Sequence, residues 1–485
     1  MKDIVAADSG RQQTGAPGTS LSRLTIWQAL IYGLGVFGGM AAGAMNSLSL
    51  PVFNIILGVN VARISLAMGI VQMTGILLDP VIAHVSDNLQ SRWGRRRPLI
   101  IAGSVIAGLA FAALWMFPSG LTQDAYFIWY LVMSLVLNVG NSLYSSAYYA
   151  LGIEVATDYK DRTRIMAIRS YFSKAVALIN PWLFPLVQLT LFTDALAGVR
   201  WIGALVGLMI IAGAIPCALL IPERFQHGVK RTKSPMPSPL DPIINFCRTL
   251  LSIGSNRYFW MSLGVTVALS CGLMIFEQIG YYVNIYYVFG GDIKTGAGFA
   301  ASANSLGVVL AVLAIPLAQI LCNRLGKHVT LRFALGWMMT GSILKWWCYT
   351  PAHPYLIFII PFFYSVGISS FWLVLPAMQA DVVDIDELNS GKRREAMFGA
   401  VTNLGMRISS AVSIALMGVI LNATGFVREL AGQQAPGTFT RMRLLYSFAM
   451  AVVLLLSLLF VAKYDLTAQR MEEVRAELER RRSKA

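Results

Sequence analysis

The stretch LLDPVIAHVSDNLQSRWGRRRPLI, residues 77–100, decides how this chain is read. It enters and leaves as apolar sequence, yet it carries Asp79 before a proline and then Arg92, Arg95, Arg96 and Arg97. Lys and Arg collect in the cytosolic loops of membrane proteins, so the arginines mark a short cytosolic turn between two membrane spans. Composition agrees: of 485 residues, 56% are hydrophobic and only 13% charged, and the mean hydropathy is +0.62, far above that of an ordinary soluble domain. The formal charge of +15 sits in short clusters between apolar segments, which argues for membrane topology and against a nucleic-acid partner. The lipid bilayer is the partner that the composition implies.

A span needs roughly 20 apolar residues. By that rule spans are expected near 25–50, 62–84, 98–117, 126–150, 166–192 and 200–221, then 258–288, 297–321, 331–349, 355–380, 397–422 and 442–463. The chain therefore divides into a cytosolic tail over 1–21, a six-helix bundle over 22–222, a polar linker over 223–257, a second six-helix bundle over 258–464, and a cytosolic tail over 465–485. The linker contains KRTKSPMPSPLDP, whose charge, Pro and Ser suit a loop. The first residues lack a basic segment followed by an apolar one, so no cleavable signal peptide is expected. Basic clusters at Arg92 to Arg97, Lys160 to Arg164, Arg324 with Lys327, and Lys392 to Arg394 follow alternate spans and put both termini in the cytosol. In the last tail, Met471, Val474 and Leu478 share one face among charges, as in an amphipathic helix.

The halves echo one another. SRWGRR at 91–96 is weakly matched by NRLGKH at 323–328, and DYKDRTR at 158–164 faintly by DIDELNSGKRR at 384–394. Two six-helix halves with matching loops describe an all-α membrane protein of twelve transmembrane helices in two pseudo-symmetric bundles, the fold of the major facilitator superfamily. A substrate site is expected between the halves near the midplane.

Several motifs carry no chemistry. GLGVFG at 33–38 fits GxGxxG but has no strand before it and lies in a span, so it is not a dinucleotide site. Gly35, Gly39 and Gly43, four residues apart, instead suggest close helix packing. Without a phosphate-binding GxxxxGK[ST] loop, solute movement must draw on a gradient. Neither HExxH nor GxSxG occurs, so no enzyme is expected. Five scattered cysteines suggest neither a disulfide framework nor a metal site, and no cofactor is implied.

Asp79 lies eight residues before Asp87, about 12 Å inside the cytosolic end of its span. An intramembrane carboxylate costs a few kcal/mol and marks a functional position by default. It can carry a proton or help ligate sodium, or it can be a packing carboxylate paired with a basic residue on a neighbouring span. Other intramembrane charges are Arg169, Lys174, Glu277, Lys345 and Arg407. Arg169 and Arg407 are equally open to pairing Asp79 or to holding substrate. Lys345, beside Trp346 and Trp347, is read as snorkelling to the interface.

LLDPVIAHVSDNLQSRWGRRRP, EVATDYKDRTRIMAIRSYF and above all FWLVLPAMQADVVDIDELNSGKRREAMFGAVTNLGMRISSA resemble the glycoside–pentoside–hexuronide:cation symporters, the melibiose permease-like group of that superfamily. SRWGRRRPLI is also similar to a loop of sucrose:proton symporters. The resemblance implies that Asp79 serves the cation site, and that Tyr149, Arg169, Trp372, Asn389 and Arg407 stand at substrate-binding positions. Tyr149 replaces a tryptophan of the family and Arg407 stands where many members carry lysine. Gly75, Met40, Ser145 and Asn389 stand where the family pattern has three aspartates and a lysine. So few carboxylates suit a proton better than sodium as coupling ion.

The reading is a proton-coupled glycoside or hexuronide symporter of a bacterial inner membrane, monomeric and working by alternating access. A lysolipid or other amphiphile transporter of the same fold, and a non-transporting membrane sensor, are the rival readings.

Overall fold

The computed structural model describes residues 25–89, 91–118, 120–155, 159–221, 244, 256–391, 394–462, 464, 466 and 468–484. The tail expected over 1–21, most of the linker over 223–257, Asp158, Lys392 and Arg393 lie outside the described residues. Within them there is helix and no strand.

In chain order the helices are α1 (Ile26–Ile56), α2 (Val61–Asn88), α3 (Arg97–Trp115), α4 (Gln123–Val155), α5 (Tyr159–Ile179, continuing through Asn180–Trp182 to Leu183–Val187), α6 (Ala195–Leu220), α7 (Arg257–Val288), α8 (Ile293–Leu325), α9 (Lys327–Cys348), α10 (Pro354–Ser390), α11 (Glu395–Ala423), α12 (Thr438–Ala462) and α13 (Ala468–Lys484). Ten of these are long and apolar enough to cross a membrane. The spans expected over 166–192 and 331–349 fall on α5 and α9, which are not among the ten. Each carries inward-facing charge that lowers its hydropathy, Arg169 and Lys174 in one and Lys345 in the other.

Helix ends follow local chemistry. Thr25 and Gln28 form a reciprocal capping box at α1. Asn60, Asp194, Asn256 and Asp292 accept backbone N–H groups at the starts of α2, α6, α7 and α8. Gly391, at φ 67°, ends α10 in the left-handed conformation that glycine adopts without strain.

Small residues let helices approach. A Cβ on Gly103 would stand 2.5 Å from the Tyr144 nitrogen of α4, and one on Gly207 would stand 2.5 Å from the Gly108 carbonyl of α3. The glycine pattern in α1 differs from the expected four-residue spacing. Gly35 and Gly43 do approach Tyr148 and Asn180, but Gly38 is the closer to Tyr144, where a Cβ would stand 2.4 Å away against 3.9 Å for Gly39. The cause is a 3-10 turn over Gly35–Gly39 that rotates the face.

One end of the bundle carries Arg95, Arg96, Lys327 and Arg394 and is called the basic face; the opposite end is the far face. At the basic face, Arg95 and Arg96 pair with Glu154 in the first half. Lys327 pairs with Asp381 and Arg394 with Asp386 in the second. Hydrogen bonding to the Asp386 carboxylate, helped by its charge, raises Arg394 above its ordinary pKa. Beneath this face α13 buries Met471, Val474 and Leu478, and Arg475 reaches Asp381 and Asp384 at 3.2 and 3.4 Å.

The halves join at the far face. Tyr282 donates to Asn54 Oδ1 at 2.8 Å, Asn422 to Asn60 Oδ1 at 3.0 Å, and Arg428 to the carbonyls of Ile55 and Ile56 at 2.9 Å. Gly418 of α11 lies against the backbone of Val61 and Ala62 in α2. Asp79 and Arg407, also between the halves but nearer the basic face, keep side-chain exposures of 30% and 56%. The passage between the halves is therefore closed at the far face and open toward the basic face.

Candidate functional site

Asp79 lies on α2 just before Pro80, whose missing N–H frees a backbone carbonyl one turn earlier. Ser142 of α4 donates to Asp79 Oδ1 at 2.6 Å. Arg407 of α11, in the other half, forms an ion pair with Oδ2. Both carboxylate oxygens are thus engaged, one within its own half and one across the divide. One turn earlier, Gly75 presents no side chain and faces Asn138, which donates to the Val71 carbonyl at 3.1 Å.

Tyr149 and Arg169 also meet. The guanidinium lies 4.3 Å from the Tyr149 ring centroid and donates to its hydroxyl at 2.7 Å. Behind them Tyr32, Tyr148 and Tyr144 stack with centroid separations of 4.5 and 5.4 Å, and the Tyr148 hydroxyl donates to the Tyr32 carbonyl at 2.8 Å. This column stiffens the wall that carries Tyr149. Trp372 of α10 is 53% exposed and packs edge-on to Phe371. Asn389 is exposed near the end of α10, about 25 Å along the helix from Trp372 at 1.5 Å per residue. The structure therefore brings together Asp79 with Arg407, and Tyr149 with Arg169, but leaves Asn389 apart.

A cavity of about 510 Å³ lies deeper, between α1 and α5 of the first half and α7, α8, α9, α10 and α12 of the second. That volume is within the ~300–1,000 Å³ of small-molecule sites. None of the six residues just considered lines it, whereas Lys174, Glu277, Gln278, Asn304 and Lys345 do. The snorkelling expected of Lys345 is not found. Its side chain is buried, 3% exposed, with Nζ 4.2 Å from the Tyr364 ring centroid and 4.0 Å from that of Tyr446. The neighbouring tryptophans misled the sequence reading: Trp347 faces outward, while Lys345 turns inward between the two tyrosines. The amide residues Gln278 and Asn304 escaped sequence reasoning because uncharged polar side chains in a span give little signal.

A helical, two-halved chain with polar groups at the meeting surface of its halves defines a secondary transporter of the major facilitator fold. The profile of the family described as MFS/sugar transport protein matches residues 31–468, and the chain belongs to that family. It is similar to an uncharacterised symporter of Synechocystis sp., with 24% identity over 86% of this chain and 89% of that protein. It is similar also to a glucuronide carrier protein homologue of Escherichia coli, with 21% identity over 94% of this chain and 96% of that protein. Among solved structures, a D-xylose–proton symporter shares the fold with a TM-score of 0.60 at 14% identity, over 91% of this chain and 97% of that one. The chain is a multi-pass membrane transport protein, not an enzyme.

Proposed function

We propose that this protein is a proton-coupled symporter of a glycoside or hexuronide, with Asp79 as the coupling group. The observation that carries the reading is the position of Asp79, shared between Ser142 of its own half and Arg407 of the other. Ionised, its carboxylate ties the two halves. A proton taken up there neutralises it and frees Arg407, so protonation acts directly on a contact between the moving parts. Sodium is less suited, since it would have to displace Arg407 and Ser142 from a single carboxylate and find several further oxygen ligands. Tyr149, Arg169 and Trp372 offer ring faces and a guanidinium to a sugar on the open side, and Arg407 offers donors once released. Asn389, at the basic face, serves at most as an entry contact.

The names of the Escherichia coli glucuronide carrier homologue and of the D-xylose–proton symporter support a saccharide substrate. The same reading places the protein, as a monomer, in a bacterial inner membrane, with the basic face and both termini toward the cytosol. The test is uptake by proteoliposomes from a pool of glycosides and uronides, first under a proton gradient and then under a sodium gradient. Accumulation under the proton gradient alone is expected. Accumulation under sodium alone would overturn the coupling assignment, and uptake of lysolipid in place of every saccharide would overturn the substrate class.

A further inference from the structure

The loop between α2 and α3 and the loop between α8 and α9 are built alike. SRWGRR at 91–96 aligns with NRLGKH at 323–328, and Gly94 and Gly326 both take a positive φ, 104° and 83°. Each loop then sends its next basic residue, Arg95 or Lys327, to a carboxylate near the end of the fourth helix of its half, Glu154 in α4 and Asp381 in α10. In the first half a second cation follows: Arg96, 5% exposed, lies 3.1 Å from the same Glu154 and donates to Ser86 at 2.7 Å. The aligned position in the second half is His328, and burial with the nearby charge of Arg332 keeps it neutral at pH 7. The second loop is therefore one charge short.

Arg475 of α13 makes up the difference. It lies 3.2 Å from Asp381, on the carboxylate oxygen opposite the one that Lys327 holds at 2.6 Å, and 3.4 Å from Asp384. Asp381 is only 3% exposed, and a buried carboxylate needs its charge compensated. The tail is aimed at this spot. Arg332 donates to the carbonyls of Val461, Ala462 and Tyr464 at 3.1, 3.0 and 3.2 Å where the chain leaves α12. Beyond it Met471, Val474 and Leu478 are buried, and Arg481 donates to the Leu388 carbonyl at 2.8 Å.

We infer that Arg475 is a positioning residue of the transport cycle: α13 is a clasp that supplies the cation missing from the α8–α9 loop, and α9 and α10 move as one body only while it is docked. In this open form the clasp is partly wet, with Arg475 56% and Asp384 17% exposed. Closure on the basic side withdraws water from the surfaces that meet there, and an under-compensated carboxylate costs more when dry. The clasp thus favours closure on the basic side and opening of the far face. The inference rests on alternating access between the halves and on no particular substrate.

The test uses the purified full chain in nanodiscs and needs no ligand. Hydrogen exchange is read over residues 378–388. Opening of the far face is read by maleimide labelling of Ser65→Cys, a position buried there against Met417, in excess of the same chain without that cysteine. Arg475→Gln should speed the exchange and slow the labelling, each at least about fivefold. Arg475→Lys, which keeps the charge, should hold both within about twofold of wild type. Adding His328→Arg to Arg475→Gln should restore both, because it returns a second cation to the place that Arg96 holds in the first half. Wild-type exchange and labelling in Arg475→Gln would overturn the inference. Faster exchange with unchanged labelling would also overturn it, reducing α13 to a local brace. Changes that His328→Arg fails to repair would show that Arg475 does not replace a missing loop cation, and the inference would fall.

Discussion

Replacing Asp79 with Asn keeps the size of the side chain and removes its charge. The ion pair to Arg407 is only partly shielded, with 56% of the arginine side chain exposed. Its worth therefore lies nearer the ~1 kcal/mol of surface pairs than the ~3–5 kcal/mol lost when a buried pair is broken. A change of about 1–2 kcal/mol shifts the balance between open and closed forms by about 5–30-fold, enough to alter exchange rates but not to stop them. Coupling behaves differently. One pH unit corresponds to about 1.36 kcal/mol, so a carrier moving one proton per sugar accumulates up to about tenfold under that gradient. The amide introduced by Asp79→Asn cannot take up and release a proton, and the expected accumulation ratio for this variant is one, with counterflow exchange retained. The assay is accumulation against equilibrium exchange in the same proteoliposomes. A ratio near tenfold in the variant would refute the coupling role of Asp79.

Two further predictions concern the closed far face and the basic face. A Cβ on Gly418 would stand 2.6 Å from Ala62 Cα and 2.7 Å from the Val61 carbonyl; Gly418→Val should cost the closed far face about 1–3 kcal/mol by overpacking. Maleimide labelling of Ser65→Cys, a position buried against α11 in the closed far face, should then rise at least about fivefold, and unchanged labelling would count against the α2–α11 contact as the far gate. At the basic face, burial and the charge of Arg332 hold His328 below its ordinary pKa of 6.5. Because the folded pKa is the lower one, the unfolded chain takes the proton first as pH falls. Stability therefore declines from about pH 6.5 downward and levels off once the folded His328 protonates too. The fall in melting temperature on acidification should shrink in His328→Gln, and an equal fall in both proteins would discount this residue.

Much of the architecture could be read from where charge interrupts apolar sequence. Arg92 to Arg97 marked the turn between α2 and α3, and Asp79 stood out because a span seldom carries a carboxylate. Its partner was left open between Arg169 and Arg407, since nothing local tells which distant helix faces α2. That is a property of the tertiary arrangement, and the structure places Arg407 there. Lys345 shows the converse error. Its neighbours Trp346 and Trp347 suggested the membrane interface, but the direction of a side chain follows the face of the helix, and Tyr364 and Tyr446 on that face come from α10 and α12. The deeper cavity was invisible for the same reason, being assembled from single polar residues on many helices.

Arg407 has a second consequence for coupling. When the passage closes on the basic side, any charge left between the halves is desolvated. An ionised Asp79 paired with Arg407 can be enclosed as a neutral unit. Once Asp79 is protonated, Arg407 is left without its counter-charge, and an uncompensated buried charge costs about 3–5 kcal/mol. A sugar whose oxygens reach Arg407 relieves that cost, so the protonated carrier closes readily only when loaded. On this argument the arginine suppresses proton leak, and at about 1.4 kcal/mol per tenfold the penalty corresponds to a suppression of more than about a hundredfold. Arg407→Gln removes the charge that resists closure of the protonated empty carrier, but it leaves an ionised Asp79 without its counter-charge on the return, so this variant alone is not expected to leak. The comparison that isolates Arg407 is Asp79→Asn, in which the arginine is always unpaired, against the double variant Asp79→Asn with Arg407→Gln, in which neither charge is present. In sugar-free proteoliposomes, closure on the basic side with opening of the far face, read by maleimide labelling of Ser65→Cys, which is buried in the closed far face, should be at least about tenfold faster in the double variant. Equal labelling in the two would remove Arg407 from the coupling mechanism.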